Sequence, residues 1–236
     1  MIKQCRLILL SFVALATTAA AAEPVPFDAT YETKYGFLSA RGERKLEVGG
    51  EGIWKMENSA HVLMVNVVEH STFTWQGKHV TSLSYEFANP LNQSRSMSLS
   101  FDWPKKTVTN TNTNQTLPLA PDVYDKLSYQ AQMQANVCAD PDHYAGENFT
   151  VVDYKKLKTY RVELVGRDVQ KTPVGLLNTI HLKQFRPDKR DGKDTQIWLA
   201  ADWNCLLVRL DQYDRDDLYS LKLVKAKVNG VEVKEK

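Results

Sequence analysis

What most constrains this chain is an alternation of apolar and polar residues at period two that runs through most of its length. Met97, Leu99, Phe101 and Trp103 alternate with Ser96, Ser98, Ser100 and Asp102 without a miss. Such a pattern sends one set of side chains to each face of a pleated strand, and so predicts a half-buried β-strand. Residues 27–33 open in the same way, with Phe27, Ala29 and Tyr31 in phase. Residues 44–48 and 53–56 follow, separated by Gly49-Gly50-Glu51-Gly52, a glycine-rich hairpin connection. Residues 61–73 form a long β-branched stretch in which Val67-Val68 predicts a bulge. Residues 80–87 continue it, with Val80, Leu83, Tyr85 and Phe87 as inward candidates. Further strands are expected over 149–153, 159–165, 177–185, 195–201, 206–212 and 219–228, and Asn229-Gly230 signals a type I′ turn.

One segment departs from this period. After Pro121-Asp122, the residues Tyr124, Leu127, Ala131, Ala135 and Cys138 recur at spacings of three and four, with no internal glycine or proline. This predicts one main α-helix over 122–138, with Asp122 as its N-cap. About twelve strands around one helix imply a mainly β fold. The expected form is a large curved antiparallel sheet or partly open barrel wrapped on the helix, with a two-sheet sandwich as the alternative. No fixed-period repeat and no low-complexity linker divides the chain, so residues 23–236 read as a single β-rich domain.

The first 22 residues read differently. Lys3 and Arg6 precede an apolar run interrupted only by Ser11, and the segment closes on Ala19-Ala20-Ala21-Ala22. That is the arrangement of a cleavable secretory signal, cut near Ala22. The apolar run is shorter than the roughly 20 residues a membrane-spanning helix needs, and no later stretch approaches that length. Export from the cytosol is therefore expected, with no transmembrane segment in the mature chain. Lys3 and Arg6 carry the whole excess of 30 basic over 28 acidic residues, so the mature chain is electrically balanced. Without a bulk positive charge, nucleic acid is excluded as a partner. Cys5 would leave with the signal, and Cys138 and Cys205 remain as an even pair in an oxidising space. A disulfide between them is the expectation, with two buried free thiols as the alternative.

No reaction is written in the sequence. The five histidines form no H-x-H, H-x-x-x-H or H-E-x-x-H pair, so a metal site is not expected and no cofactor is implied. His181 alternates with Ile180 and Leu182 and reads as a solvent-facing strand residue. No G-x-S-x-G elbow accompanies His70, and no catalytic residue is assigned. Asp211, Asp214, Asp216 and Asp217 read as solvated charge between strands, since the spacing of a calcium loop is not met. The five tryptophans lie in or beside predicted strands. Core filling is the simpler account of them, and Trp54, flanked by Ile53 and Lys55, is the best candidate for exposure.

Several short motifs nevertheless recur in a known order. Phe27-x-Ala29-x-Tyr31 after a signal is followed by Pro121-Asp122-Val123-Tyr124-Asp125-x-Leu127-Ser128, then by Thr172-Pro173-Val174-Gly175 and Trp198-Leu199-Ala200-Ala201-Asp202. In this order the chain resembles the exported bacterial family known as domain of unknown function 3108, over essentially the whole mature length. One departure is Cys205-Leu206-Leu207, where the family commonly has a proline before the strand. The resemblance implies a β-rich periplasmic protein of Gram-negative bacteria and carries no established activity or catalytic residues. Two functions from different classes follow. One is a non-enzymatic carrier of a hydrophobic envelope molecule, a lipid or lipid-linked glycan, in a groove between sheet and helix lined by Tyr85, Leu99, Phe101, Trp103 and Leu127. The other is a structural or adaptor module that binds an envelope protein or glycan. A hydrolase comes third.

Overall fold

The computed structural model describes residues 24–35, 38–62, 65–90, 92–189, 194–214 and 217–236. The expected signal lies outside the described residues. The strands are β1 (Phe27–Tyr35), β2 (Leu38–Val48), β3 (Ile53–Val62), β4 (Val65–Gln76), β5 (His79–Ala88), β6 (Met97–Asp102), β7 (Thr107–Asn110) and β8 (Gln115–Pro118) in the first half. The remainder are β9 (Val123–Tyr124), β10 (Glu147–Asp153), β11 (Lys156–Thr172), β12 (Gly175–Phe185), β13 (Thr195–Ala200), β14 (Leu206–Asp214), β15 (Asp217–Val228) and β16 (Val231–Glu232). Among the described residues one α-helix, α1 (Ser128–Ala139), interrupts them.

All sixteen described strands belong to one sheet, in the order β8-β7-β6-β5-β4-β3-β2-β1-β15-β14-β13-β12-β11-β10-β9, with β16 on β15. Two antiparallel meanders are thus sewn together where β1 pairs with β15 (Phe27 opposite Val228). Among the described strands only β9 runs parallel to its neighbour, β10. The sheet is open but strongly curved, because the two ends come close. The β10–β11 turn leans on β6–β8: Asn110 Nδ2 donates to the Tyr154 carbonyl at 3.3 Å, Gln115 Nε2 to the Lys155 carbonyl at 3.1 Å, and Tyr154 Oη to the Arg95 carbonyl at 2.8 Å. This seam is made by side chains instead of a backbone ladder.

The large curved antiparallel sheet around one helix is as the alternation predicts. Met97, Leu99 and Phe101 are buried, as their phase requires, and Asn229 and Gly230 both take positive φ, as a type I′ turn needs. The strands beyond the expected twelve include the short β8, β9 and β16. The run over 61–73 is divided between β3 and β4. No bulge falls at Val67-Val68, which pair regularly with Ala60 and Ser59; the register instead shifts between Thr72 and Phe73 against β5.

The helix begins later than its spacing suggests. Val123 and Tyr124 are buried and pair with β10, so the chain is still extended there. Asp122 is exposed, and the cap is Asp125, fully buried. Its Oδ1 accepts the backbone N–H of Leu127 at 2.8 Å and of Ser128 at 2.9 Å, and its Oδ2 accepts Ser71 Oγ at 2.8 Å. One carboxylate therefore satisfies two orphan helix donors and ties the helix start to β4. Burial pushes the Asp125 carboxyl above its ordinary range, against the pull of these bonds.

Sequence and packing explain why α1 lies on the concave face. Its sequence is rich in uncharged amides on every side, Gln130, Gln132, Gln134 and Asn136, and has no single apolar stripe. Such a helix is stable in an interior only if the amides find partners, and both halves of the sheet supply them. Gln132 Oε1 accepts Val80 N at 2.7 Å and its Nε2 donates to the Lys78 carbonyl at 2.7 Å. Ser128 Oγ bonds Ser82 Oγ at 2.7 Å, Gln134 Nε2 donates to the Cys205 carbonyl at 3.2 Å, and Tyr129 Oη donates to Gln184 Oε1 at 3.1 Å. The disulfide Cys138–Cys205, with Cα atoms 5.9 Å apart, fixes the far end of the helix to the β13–β14 turn.

Candidate functional site

Strand β2 carries Gly42, Arg44 and Leu46 in one phase, and that phase faces inward. Arg44 is 6% exposed, while its neighbours Glu43 and Lys45 are exposed. The register sets Arg44 opposite Asn58 on β3, and Asn58 opposite Glu69 on β4. A polar ladder thus crosses three strands on the concave face. Asn58 Nδ2 donates to Glu69 Oε2 at 3.2 Å and Tyr85 Oη donates to Glu69 Oε1 at 2.5 Å, so both carboxylate oxygens are engaged. Arg44 Nη1 donates to Gln130 Oε1 on α1 at 2.7 Å, and Nη2 lies 3.3 Å from Met56 Sδ. Among the described residues Arg44 makes no ion pair. Burial pulls the Arg44 guanidinium below its usual range, opposed by Tyr31, Glu69 and Tyr129. Burial, joined by Glu69, drives the Tyr85 hydroxyl far upward. Burial also raises Tyr31 despite Arg44, so it stays a donor, to the Leu207 carbonyl at 2.8 Å.

Two spaces adjoin this ladder. A cleft of about 470 Å³ lies between α1 and the strands of the second meander. Met133 on the helix and Ile197, Leu199, Leu207 and Leu210 on β13 and β14 form its apolar wall; Lys126, Arg186, Lys189 and Asp194 also line it. An open chamber of about 210 Å³ is lined by the first meander, Glu43 included, and by Tyr219 and Leu221 of β15. Arg44 and Glu69 line both spaces. The chamber exists because Gly42 and Ala60, paired across β2 and β3, place almost no side-chain volume there. Beside the cleft, Lys126 Nζ is 3.1 Å from Asp153, which also pairs with Lys158. Burial alone would raise the Asp153 carboxyl, but Lys158 and Lys126 outweigh it and hold the group below its ordinary range.

The residues that the alternation picks out as a groove lie elsewhere. Tyr85, Leu99, Phe101 and Leu127 are buried in the close-packed core, at 1%, 2%, 8% and 0% exposure. Trp103 is half-buried, its Nε1 donating to the Ser82 carbonyl at 2.8 Å and its ring 6.4 Å from Phe101. None of the five lines the cleft or the chamber; Tyr85 reaches the site only through Glu69. Periodicity tells which face is inward, but not where that face is left vacant. The residue that does carry a signal is Arg44, a cation in phase with Leu46.

Trp54 is half-buried and packs on the core. His181 is not solvent-facing: it is half-buried and stacks on Trp198, with centroids 4.4 Å apart. Asp211 is buried, paired with Arg209 and accepting Ser220 Oγ at 2.6 Å. Asp216 lies outside the described residues. Among the described residues no group of three His, Cys, Asp or Glu side chains could hold a metal ion, and no helix is long and apolar enough to cross a membrane.

The fold is similar to that of a β-barrel-like protein of domain of unknown function DUF1849 from Brucella abortus, at 10% identity and a TM-score of 0.56, over 86% of this chain and 98% of that one. At that identity the likeness shows the fold alone. Weaker likenesses reach a Parabacteroides distasonis protein described as a lipoprotein (11% identity, TM-score 0.34, 88% and 97% of the two chains) and a Bacteroides fragilis protein described as exported (12%, 0.35, 85% and 95%). None of the curated proteins matches the chain by sequence. Residues 30–223 match the model of the family described as protein of unknown function DUF3108, and the chain belongs to that family.

Proposed function

We propose that this protein is exported to the bacterial periplasm and there carries an amphiphilic envelope molecule, a lipid or a lipid-linked glycan, in the cleft between α1 and the sheet. The observation that supports this is the cleft itself. Its volume of about 470 Å³ falls in the range of small-molecule sites, roughly 300–1,000 Å³. Its lining presents more polar than apolar surface, with a narrow leucine and isoleucine strip along one wall, and suits a ligand with a polar end and a slender apolar part. A strand-adding adaptor is less favoured, because the sheet edges are short: β9 has two residues, and β8 has four and ends on Pro118.

The test is native mass spectrometry of the full chain purified through its own export route. One bound amphiphile per chain is the expected result, lost in Leu210→Trp, which fills the cleft at a half-buried position. Persistent absence of any copurifying lipid, together with no uptake from a total lipid extract of the envelope, would overturn the carrier reading in favour of the adaptor.

A further inference from the structure

We propose that the seam joining the two ends of the sheet docks the protein on the anionic face of a bilayer, with the cleft beside the lipid. The contact stands on charge; only its purpose, loading or unloading the cleft, rests on the carrier reading. Segments 89–96, 110–115 and 153–158 meet at the seam. Among their described residues the charged side chains are Arg95, Asp153, Lys155, Lys156 and Lys158. Lys126, just before α1, adds a cation whose Nζ lies 4.8 Å from the centre of the Tyr154 ring. Five cations thus stand against one carboxylate, and that one is buried between two of them: Asp153 is 8% exposed and paired with Lys126 and Lys158. Arg95, Lys155 and Lys156 are exposed and make no ion pair among the described residues. Of the carboxylates on adjoining strands, Glu86 lies 3.4 Å from His70 and Asp122 is set back before β9. In a chain of 30 basic and 28 acidic residues, this local excess is a departure from the rest of the surface.

The hairpin that carries Lys155 and Lys156 is held in place. Asp153 pairs with Lys156 across a two-residue turn, whose first residue, Tyr154, takes a φ of 55°. Glycine occupies that region at far less cost. A tyrosine stays there only because its surroundings over-determine it. Its hydroxyl donates to the Arg95 carbonyl at 2.8 Å, its amide N lies 3.2 Å from Met97 Sδ, and Lys126 sits over its ring.

The make-up of the patch selects the partner. Protein interfaces centre on aromatic and apolar anchors and are depleted in lysine. Here lysine supplies four of the five cations, and none of the exposed large hydrophobics (Val48, Val165, Val169, Leu176, Leu218 and Val231) belongs to these segments. Lysine is a compact, strongly hydrated charge on a flexible stem, suited to a plane of many mobile phosphates more than to one shaped site. Each cation held near an acidic bilayer surface strengthens binding about fivefold. Lys126 belongs both to the patch and to the lining of the cleft, so docking here sets the cleft against the head groups.

The probes are vesicles of phosphatidylcholine alone and of phosphatidylcholine mixed equally with phosphatidylglycerol, with binding of the full mature chain read by co-sedimentation. Binding to the anionic vesicles only is expected, and it should fall more than about tenfold when salt is raised from about 50 to about 500 mM. Lys155→Gln with Lys156→Gln should weaken it about tenfold to thirtyfold. Lys225→Gln with Lys227→Gln removes the same charge from exposed positions on β15, in the middle of the strand order, and should change binding less than about twofold. Equal binding to both vesicles, or equal weakening by the two lysine pairs, would overturn the assignment. Binding to neither vesicle would overturn it as well and leave an acidic protein surface as the counterpart of the patch. Anionic vesicle binding by a protein that carries no amphiphile in native mass spectrometry would keep the dock and remove the carrier reading; a loaded protein that ignores both vesicles would do the reverse.

Discussion

The two walls that face α1 come from similar antiparallel meanders and are lined in opposite ways. On the second meander, Leu182, Ile197 and Leu210 are cross-strand neighbours, as are Ile180, Leu199 and Leu207. On the first, the corresponding rows run Arg44, Asn58, Glu69 and Leu46, Met56, Ser71, so that polar groups enter both. The apolar wall stabilises by burial alone, at roughly 25 cal/mol per Å² of apolar surface. The polar wall gains little net energy, since each group there exchanges water for one protein partner. What it provides is position: Arg44 holds Gln130, Ser71 holds Asp125, and Ser82 holds Ser128. Stability and placement of the helix are thus divided between the two sides of one sheet.

That division can be broken most forcefully at the disulfide, which joins α1 to the apolar wall. The Cys138→Ser, Cys205→Ser double variant releases a link between residues 67 apart and should lose about 4 kcal/mol in denaturant titration on the chain-entropy account. A loss below about 1 kcal/mol would mean that the polar bonds alone anchor the helix. Next comes a matched pair of substitutions on opposite walls. Leu199→Ala should cost about 3 kcal/mol through the cavity it leaves. Arg44→Met, which exchanges a buried cation for an apolar chain of similar length, should stay within about 1 kcal/mol of wild type. Equal losses would erase the contrast and make Arg44 a structural residue. The smallest effect concerns Asp153. A carboxyl whose folded pKa is depressed stabilises fully above its unfolded value of about 3.9 and loses that contribution as the pH falls through the lower folded value. Acid unfolding followed between pH 5 and pH 2 should therefore begin at higher pH in Lys126→Met than in wild type, and coincident curves would show that Lys158 alone holds the charge.

Much of the architecture was legible because it is local. The alternation through Met97, Leu99 and Phe101 marks β6, the Asn229-Gly230 pair marks the turn between β15 and β16, and Cys138 and Cys205 pair as expected. The helix start was misplaced by the same locality. Val123 and Tyr124 fit a helical spacing, yet pairing with β10, more than twenty residues later, keeps them extended. The candidate site was least legible, since a vacancy is produced by several strands together. Gly42 and Ala60 lie far apart in the chain and make a chamber only when β2 pairs with β3. Leu99 and Phe101 looked like groove residues because they are inward and apolar, and for the same reason they are packed solid. Arg44 was readable in retrospect: a charge in phase with Leu46 on a strand whose other charges point outward.

The double fastening of α1, by Asp125 at its start and by Cys138 at its end, has a consequence for timing. A lid that must swing would make uptake wait on its opening and release wait on its loss. Here the helix is pinned at both ends to opposite walls, so its face of the cleft does not have to be assembled around an arriving molecule. On the proposed carrier function, capture would depend on diffusion and on the fit of whatever enters, and residence time would be set by contacts inside the cleft. The protein would meet its cargo as a finished container, with the cost of shaping it already met when the chain folded.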